Sequence, residues 1–85
     1  MADMQVGKVT HYFDKIGVAV VEVTEGSISV GDTIKIEGHG NSFTQEVTSM
    51  QIEHEPIQTA RKGDTVGMKV EQPVKEGDLV YKVTE

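Results

Sequence analysis

Gly26-Ser27-Ile28-Ser29-Val30-Gly31-Asp32-Thr33-Ile34-Lys35-Ile36-Glu37-Gly38 is the stretch whose reading decides the fold. A connection opened by glycine runs through Val30 into a Gly31-Asp32 turn. A short strand follows, with Ile34 and Ile36 on one face and Lys35 and Glu37 on the other, because successive strand side chains alternate. Gly38 closes it. The same pair recurs as Gly63-Asp64 and Gly77-Asp78, each opening a strand. Glycine enters the left-handed region without a steric penalty, and a neighbouring aspartate can accept backbone N–H groups and hold the entry angle. The pairs are unequally spaced, so they are shared turn chemistry and not a solenoid repeat.

The remaining strands can be hung on this stretch. Val6 to Phe13 carries Val9 and Phe13 on one parity, Val6 and Tyr12 on the other. Asp14-Lys15-Ile16-Gly17 turns the chain into Val18 to Val23, so nearly all apolar that it predicts a strand covered on both faces or central in its sheet. Gly38-His39-Gly40-Asn41-Ser42 reads as a hairpin loop. From Phe43 to Ile52 the apolar phase slips: Phe43 and Val47 share one parity, Met50 and Ile52 the other. A β-bulge at Thr48-Ser49 would absorb the slip and bend the strand around a corner. Pro56 ends that strand after Glu53-His54-Glu55. Thr65 to Val70 aligns Val66, Met68 and Val70, and the closing strand aligns Leu79, Tyr81 and Val83. No segment carries a 3.6-residue stripe, so no substantial helix is expected. The residues predict one all-β domain over 1–85, its core within 5–83, curled into a small closed barrel.

The chain has 85 residues, a formal net charge of −6 and no cysteine. The lack of cysteine leaves neither a disulfide framework nor a zinc ribbon. No apolar run approaches the ~20 residues of a spanning helix, and the first residues do not have a signal-peptide pattern, so a cytoplasmic location without membrane contact is expected. The acidic balance works against RNA, whose non-specific affinity comes from neutralising phosphates. Arg61-Lys62 is the one adjacent basic pair.

Catalytic and metal chemistry find little support. Glu53-His54-Glu55 clusters titratable groups, but strand neighbours point to opposite faces, so neither glutamate orients the imidazole. His11, His39 and His54 share no metal-ligand spacing, and the acids beside the glycines lack the dense oxygen set of a calcium loop. No catalytic residue, metal or cofactor is expected. Phe13 and Phe43 are expected as core or barrel-plug residues, Tyr12 and Tyr81 are left open, and Met4, Met50 and Met68 are read as gap-fillers.

The order of the pieces resembles the second domain of translational GTPases such as elongation factor Tu. The resemblance rests on Val6-Gly7-Lys8-Val9, Gly17 to Val23, and Gly26-x-Ile28-x-Val30-Gly31-Asp32-x-Ile34-x-Ile36. It continues through Ala60-Arg61-Lys62-Gly63-Asp64-x-Val66-Gly67 and Val74-x-x-Gly77-Asp78-x-Val80. It implies a closed six-stranded antiparallel Greek-key barrel. The chain is also similar to the carboxy-terminal barrel of collagenase-like peptidases, whose relatives act in RNA hydroxylation. That similarity is carried by Phe43-Thr44-Gln45-Glu46-Val47-x-x-Met50, Glu55-Pro56-Ile57 with Ala60-Arg61, and Gln72-Pro73-Val74-Lys75-x-Gly77-Asp78-Leu79. There the chemistry resides in a separate large domain.

Laid on the elongation-factor pattern, the pocket for the terminal adenosine of aminoacyl-tRNA falls at Val21, Gln51 and His54, where the pattern has Gly, Glu and Arg. With Arg61 these make the candidate binding face. The substitutions crowd the stacking position and remove its polar recognition. No Gly-x-x-x-x-Gly-Lys-Ser/Thr loop occurs, which excludes GTP hydrolysis by this chain alone. The expected function is a stand-alone, non-catalytic binding module reaching translation or RNA modification through a protein partner. The alternative is an RNA-binding domain reading a short single-stranded or tRNA acceptor end.

Overall fold

The computed structural model describes residues 2–38 and 40–84, without the side chains of residues 2, 3, 41 and 84. His39, weighed above in the hairpin loop and among the histidines, lies outside the described residues. The strands are β1 (Ala2–Phe13), β2 (Val18–Val23), β3 (Ser27–Ser29), β4 (Thr33–Gly38), β5 (Asn41–Glu46), β6 (Met50–Ile52), β7 (Glu55–Ile57), β8 (Thr59–Arg61), β9 (Thr65–Lys69) and β10 (Leu79–Thr84). All pairings are antiparallel, and no helix occurs among the described residues.

The expected closed six-stranded barrel is corrected. Eight strands form one sheet in the order β5-β4-β10-β1-β2-β9-β6-β7, and β3 pairs with β8 as a separate ribbon. The large sheet therefore has two ends. At one, β7 contains Pro56, which lacks the N–H that a further strand would need, so the ladder stops there. At the other, a side chain replaces a ladder: Gln45 of β5 is buried, its Nε2 donating to Lys69 O at 2.9 Å and its Oε1 accepting from Glu71 N at 2.8 Å.

The phase slip after Phe43 is met by a break and not by the bulge expected at Thr48-Ser49. The ladder stops after Glu46 and resumes at Met50. Between them Val47 turns to the Gly31-Asp32 turn, its N–H donating to Asp32 O and its carbonyl accepting from Gly31 N, both at 2.8 Å. The bulges occur in β1, where the register shifts between Gln5 and Gly7 and again between Val9 and His11. Each extra residue moves the inward position by one, so Val6 and Val9 are both buried although their parities differ, and Tyr12 packs against the core. Thr10, the extra residue opposite β2, donates its hydroxyl to Val20 O at 3.3 Å. The second shift leaves Phe13 facing outward, 46% exposed and not in the core as expected.

Ile34 and Ile36 lie in the core as their alternation predicts, with Val66, Met68 and Val70. The closing strand is the reverse of the expectation. Val80 is fully buried, and Leu79, Tyr81 and Val83 are half-buried. Register dictates this: Val80 stands opposite Ile36 of β4, and directly opposed residues share a face. Met50 and Met68 fill the core, whereas Met4 is 54% exposed. Phe43 is half-buried against the core.

The Gly-Asp pairs make one device three times. Gly31, Gly63 and Gly77 have φ of 97°, 96° and 92°. The carboxylates of Asp32, Asp64 and Asp78 accept the N–H of Ser29, Arg61 and Lys75 at 2.8, 2.9 and 3.0 Å. The turns then exchange two backbone hydrogen bonds each with a buried valine elsewhere in the chain: Val47 in the break after β5, Val23 of β2 and Val9 of β1 respectively. This links the local turn chemistry to tertiary position, because each turn fixes both the start of its own strand and the height of a core residue.

Candidate functional site

The apolar run of β2 makes it a central strand, paired with β1 on one side and β9 on the other, and not one covered on both faces: its burial alternates, with Ala19, Val21 and Val23 inward and Val18 and Val20 half-buried on the outer face. Register sets its neighbours. Phe13 lies opposite Val18 and His11 opposite Val20 on one side, while Gly67 lies opposite Val20 and Gln51 opposite Gly67 on the other. Gly67 has no side chain, so the rung is empty between Val20 and Gln51. The Asp14–Gly17 turn adds Ile16, 64% exposed. The result is an open depression of about 390 Å³ lined by Phe13, Ile16, Val18, Val20, Gln51, Glu53, His54 and Gly67. The His11 ring meets Phe13 edge-on, with centroids 4.5 Å apart at 69°, and His11 Nδ1 lies 3.5 Å from Glu76 Oε1.

One rim is a two-residue hairpin. Ile52 and Glu55 pair, and the intervening Glu53 and His54 have φ of 50° and 67°. Positive φ at both central positions is the geometry that fits the right-handed strand twist, and Asn-Gly is its natural occupant. Side chains there cost of order 1–3 kcal/mol each. Replacing the pair, Glu53→Asn with His54→Gly, is expected to raise stability by roughly 1–2 kcal/mol in urea denaturation. A fall in the denaturation midpoint would show that the two side chains hold the hairpin by contacts that outweigh the strain.

The structure separates the four residues of the sequence-derived face. Gln51 and His54 line the depression. Val21 is fully buried between Val9 and Val66 and is presented to nothing outside, which corrects its assignment: an inward β2 position cannot belong to an outer face. Arg61 is exposed in β8 opposite Ser27 and does not line the depression. Sequence reasoning missed Phe13, Ile16, Val18, Val20 and Gly67. The available signal was the isolated Gly67 within an alternating strand, since such a glycine marks close approach by another group. No group of three or more His, Asp or Glu side chains positioned to hold a metal occurs among the described residues.

Residues 17–81 match the family described as Elongation factor Tu domain 2. The chain belongs to that family. This member of the Elongation factor Tu domain 2 family is 39% identical over 83 residues to an uncharacterized protease of Methanocaldococcus jannaschii, covering 96% of this chain and 20% of that protein. It is 32% identical over 78 residues to a collagenase of Porphyromonas gingivalis, covering 91% of this chain and 22% of that one. The chain thus spans about a fifth of the length of these curated relatives. Among solved structures, the C-terminal domain of a Geobacillus thermoleovorans putative U32 peptidase superposes with a TM-score of 0.86 at 24% identity, covering 96% of this chain and 93% of that one. At that identity the likeness is one of fold.

Proposed function

We propose that this domain is a non-catalytic binding module whose contact surface is the outer depression of β1, β2, β9 and the β6–β7 hairpin, and that it reaches translation or RNA modification through a protein partner in the cytoplasm. The observation that carries the reading is the exposed apolar pair Phe13 and Ile16 beside the empty rung at Gly67, on a sheet whose other face already holds the core. An apolar depression with a few polar groups at its rim is the usual form of a recognition site. The peptidase relatives are about five times longer than this chain, which fits an accessory role beside chemistry carried elsewhere.

A second reading, recognition of a short single-stranded or tRNA acceptor end, draws on membership of the elongation-factor family and on the exposed Phe13 ring. The formal charge of −6 opposes it. Amide chemical-shift mapping separates the two. Protein docking predicts that a Phe13→Ser, Ile16→Ser variant keeps its dispersed spectrum but is no longer retained on a column of the partner. The RNA reading predicts saturable shifts at Val18, Val20 and Gly67 with deacylated tRNA, weakening with salt. Saturable tRNA shifts on those amides would overturn the protein-partner reading.

A further inference from the structure

We infer that the depression receives a long basic side chain, arginine foremost, from a partner polypeptide, with the aliphatic stem over Val18, Val20 and Gly67 and the charged head at Glu53. This rests on the depression being a contact surface. Its floor is apolar, and one side-chain position in it is left empty by Gly67. A Cβ built on Gly67 would lie 3.4 Å from Val18 Cγ1 and 3.7 Å from Gln51 Cγ, so the missing side chain is the space that a guest would take. Long basic side chains lay their methylenes along apolar surface and keep the head group at its edge.

The charges give the guest a direction. Glu53 is the one carboxylate lining the depression, and it makes no ion pair among the described residues. Glu22, Glu37 and Glu76 lie beside Lys8, Lys35 and His11, and among the glutamates with no ion pair among the described residues Glu53 differs from Glu25, Glu46, Glu55 and Glu71 in lining this apolar trough. Lys69, opposite Val18, marks the other end of the trough, two residues along β9 from Gly67. A cation is therefore drawn toward the hairpin and away from Lys69. At that far end Phe13 and Ile16 are left to cover an aliphatic neighbour of the basic residue. The formal charge of −6 attracts basic segments over longer range and repels phosphate. Arginine is favoured over lysine because its guanidinium pairs with a carboxylate through two parallel hydrogen bonds.

The probes are an acetylated, amidated Gly-Leu-Ala-Arg-Ala-Leu-Gly peptide, its citrulline counterpart, which keeps the shape without the charge, and a single-stranded RNA hexamer, each titrated into the 85-residue chain and followed by amide shifts. The expected result is saturable shifts at Val18, Val20 and Gly67, with the citrulline peptide roughly fivefold weaker. Glu53→Gln should abolish that preference, and Gly67→Leu, checked for a dispersed spectrum, should abolish binding of both peptides. Equal affinity for the two peptides at these amides would overturn the basic-ligand assignment while leaving the surface in place. An absence of shifts with either peptide would overturn the surface as well. Tighter binding of the RNA at the same amides would overturn the inference in favour of a nucleic-acid ligand.

Discussion

Ile36→Asp is expected to leave the chain unfolded at room temperature, with a far-UV circular dichroism spectrum lacking the native β signature and a collapsed amide spectrum. Ile36 sits mid-strand in β4, 1% exposed, opposite Phe43 on one side and Val80 on the other. Removing its side chain forfeits roughly 2–3 kcal/mol of burial. The carboxylate must then be buried without a partner or be protonated, which adds several kcal/mol more. A domain of this size has a total stability of order 5–10 kcal/mol, so the sum takes most or all of it. Ile36→Val serves as the control, costing about 1 kcal/mol and retaining cooperative melting. Native folding of the aspartate variant would mean that the β4 face pointing at Val80 is not the core face.

That substitution tests the part of the fold that was legible in the sequence. Ile34-Lys35-Ile36-Glu37 alternates without interruption, and an alternation of that kind has one reading. Val66 and Met68 were legible for the same reason. The closing strand was not, because Leu79, Val80, Tyr81, Lys82 and Val83 offer apolar residues on both parities, and the choice depends on register with β4 and β1. Burial of Val6 with Val9, and the outward turn of Phe13, depend on two bulges that leave no mark in an apolar pattern. Closure was overread at Thr48-Ser49, where a break and a slip look alike in sequence. The candidate site suffered most from this. A motif alignment counts positions without regard to face, and so it joined the buried Val21 to the outward Gln51 and His54. The outer depression exists only through cross-strand pairing, of Phe13 with Val18 across the β1–β2 hairpin and of Val20 with Gly67, which is 47 residues away in sequence.

Gly7→Ala and Gly67→Ala should have opposite effects, although both glycines lie within strands and neither has a positive φ. At Gly7 the new Cβ would stand 2.5 Å from Glu22 O and 3.1 Å from Val21 Cγ1. The oxygen belongs to the backbone of β2 and cannot swing aside, so β1 and β2 must part beside the first bulge. A loss of about 3 kcal/mol is expected, at the upper end for overpacking. For a domain of this size that lowers the Tm by more than about 10 °C, readable by calorimetry. At Gly67 the nearest atoms are side-chain carbons at 3.4 and 3.7 Å, an ordinary contact, and alanine restricts the unfolded chain more than glycine does. Stability should rise by roughly 0.4–1 kcal/mol. The methyl group would also occupy the floor on which Val18 and Val20 border the trough, so peptide affinity should fall while the melting temperature climbs. Divergence of the two readouts would place the cost of Gly67 in stability and its use in accepting a guest. If alanine instead raised the Tm and left binding unchanged, the empty rung would have no part in recognition.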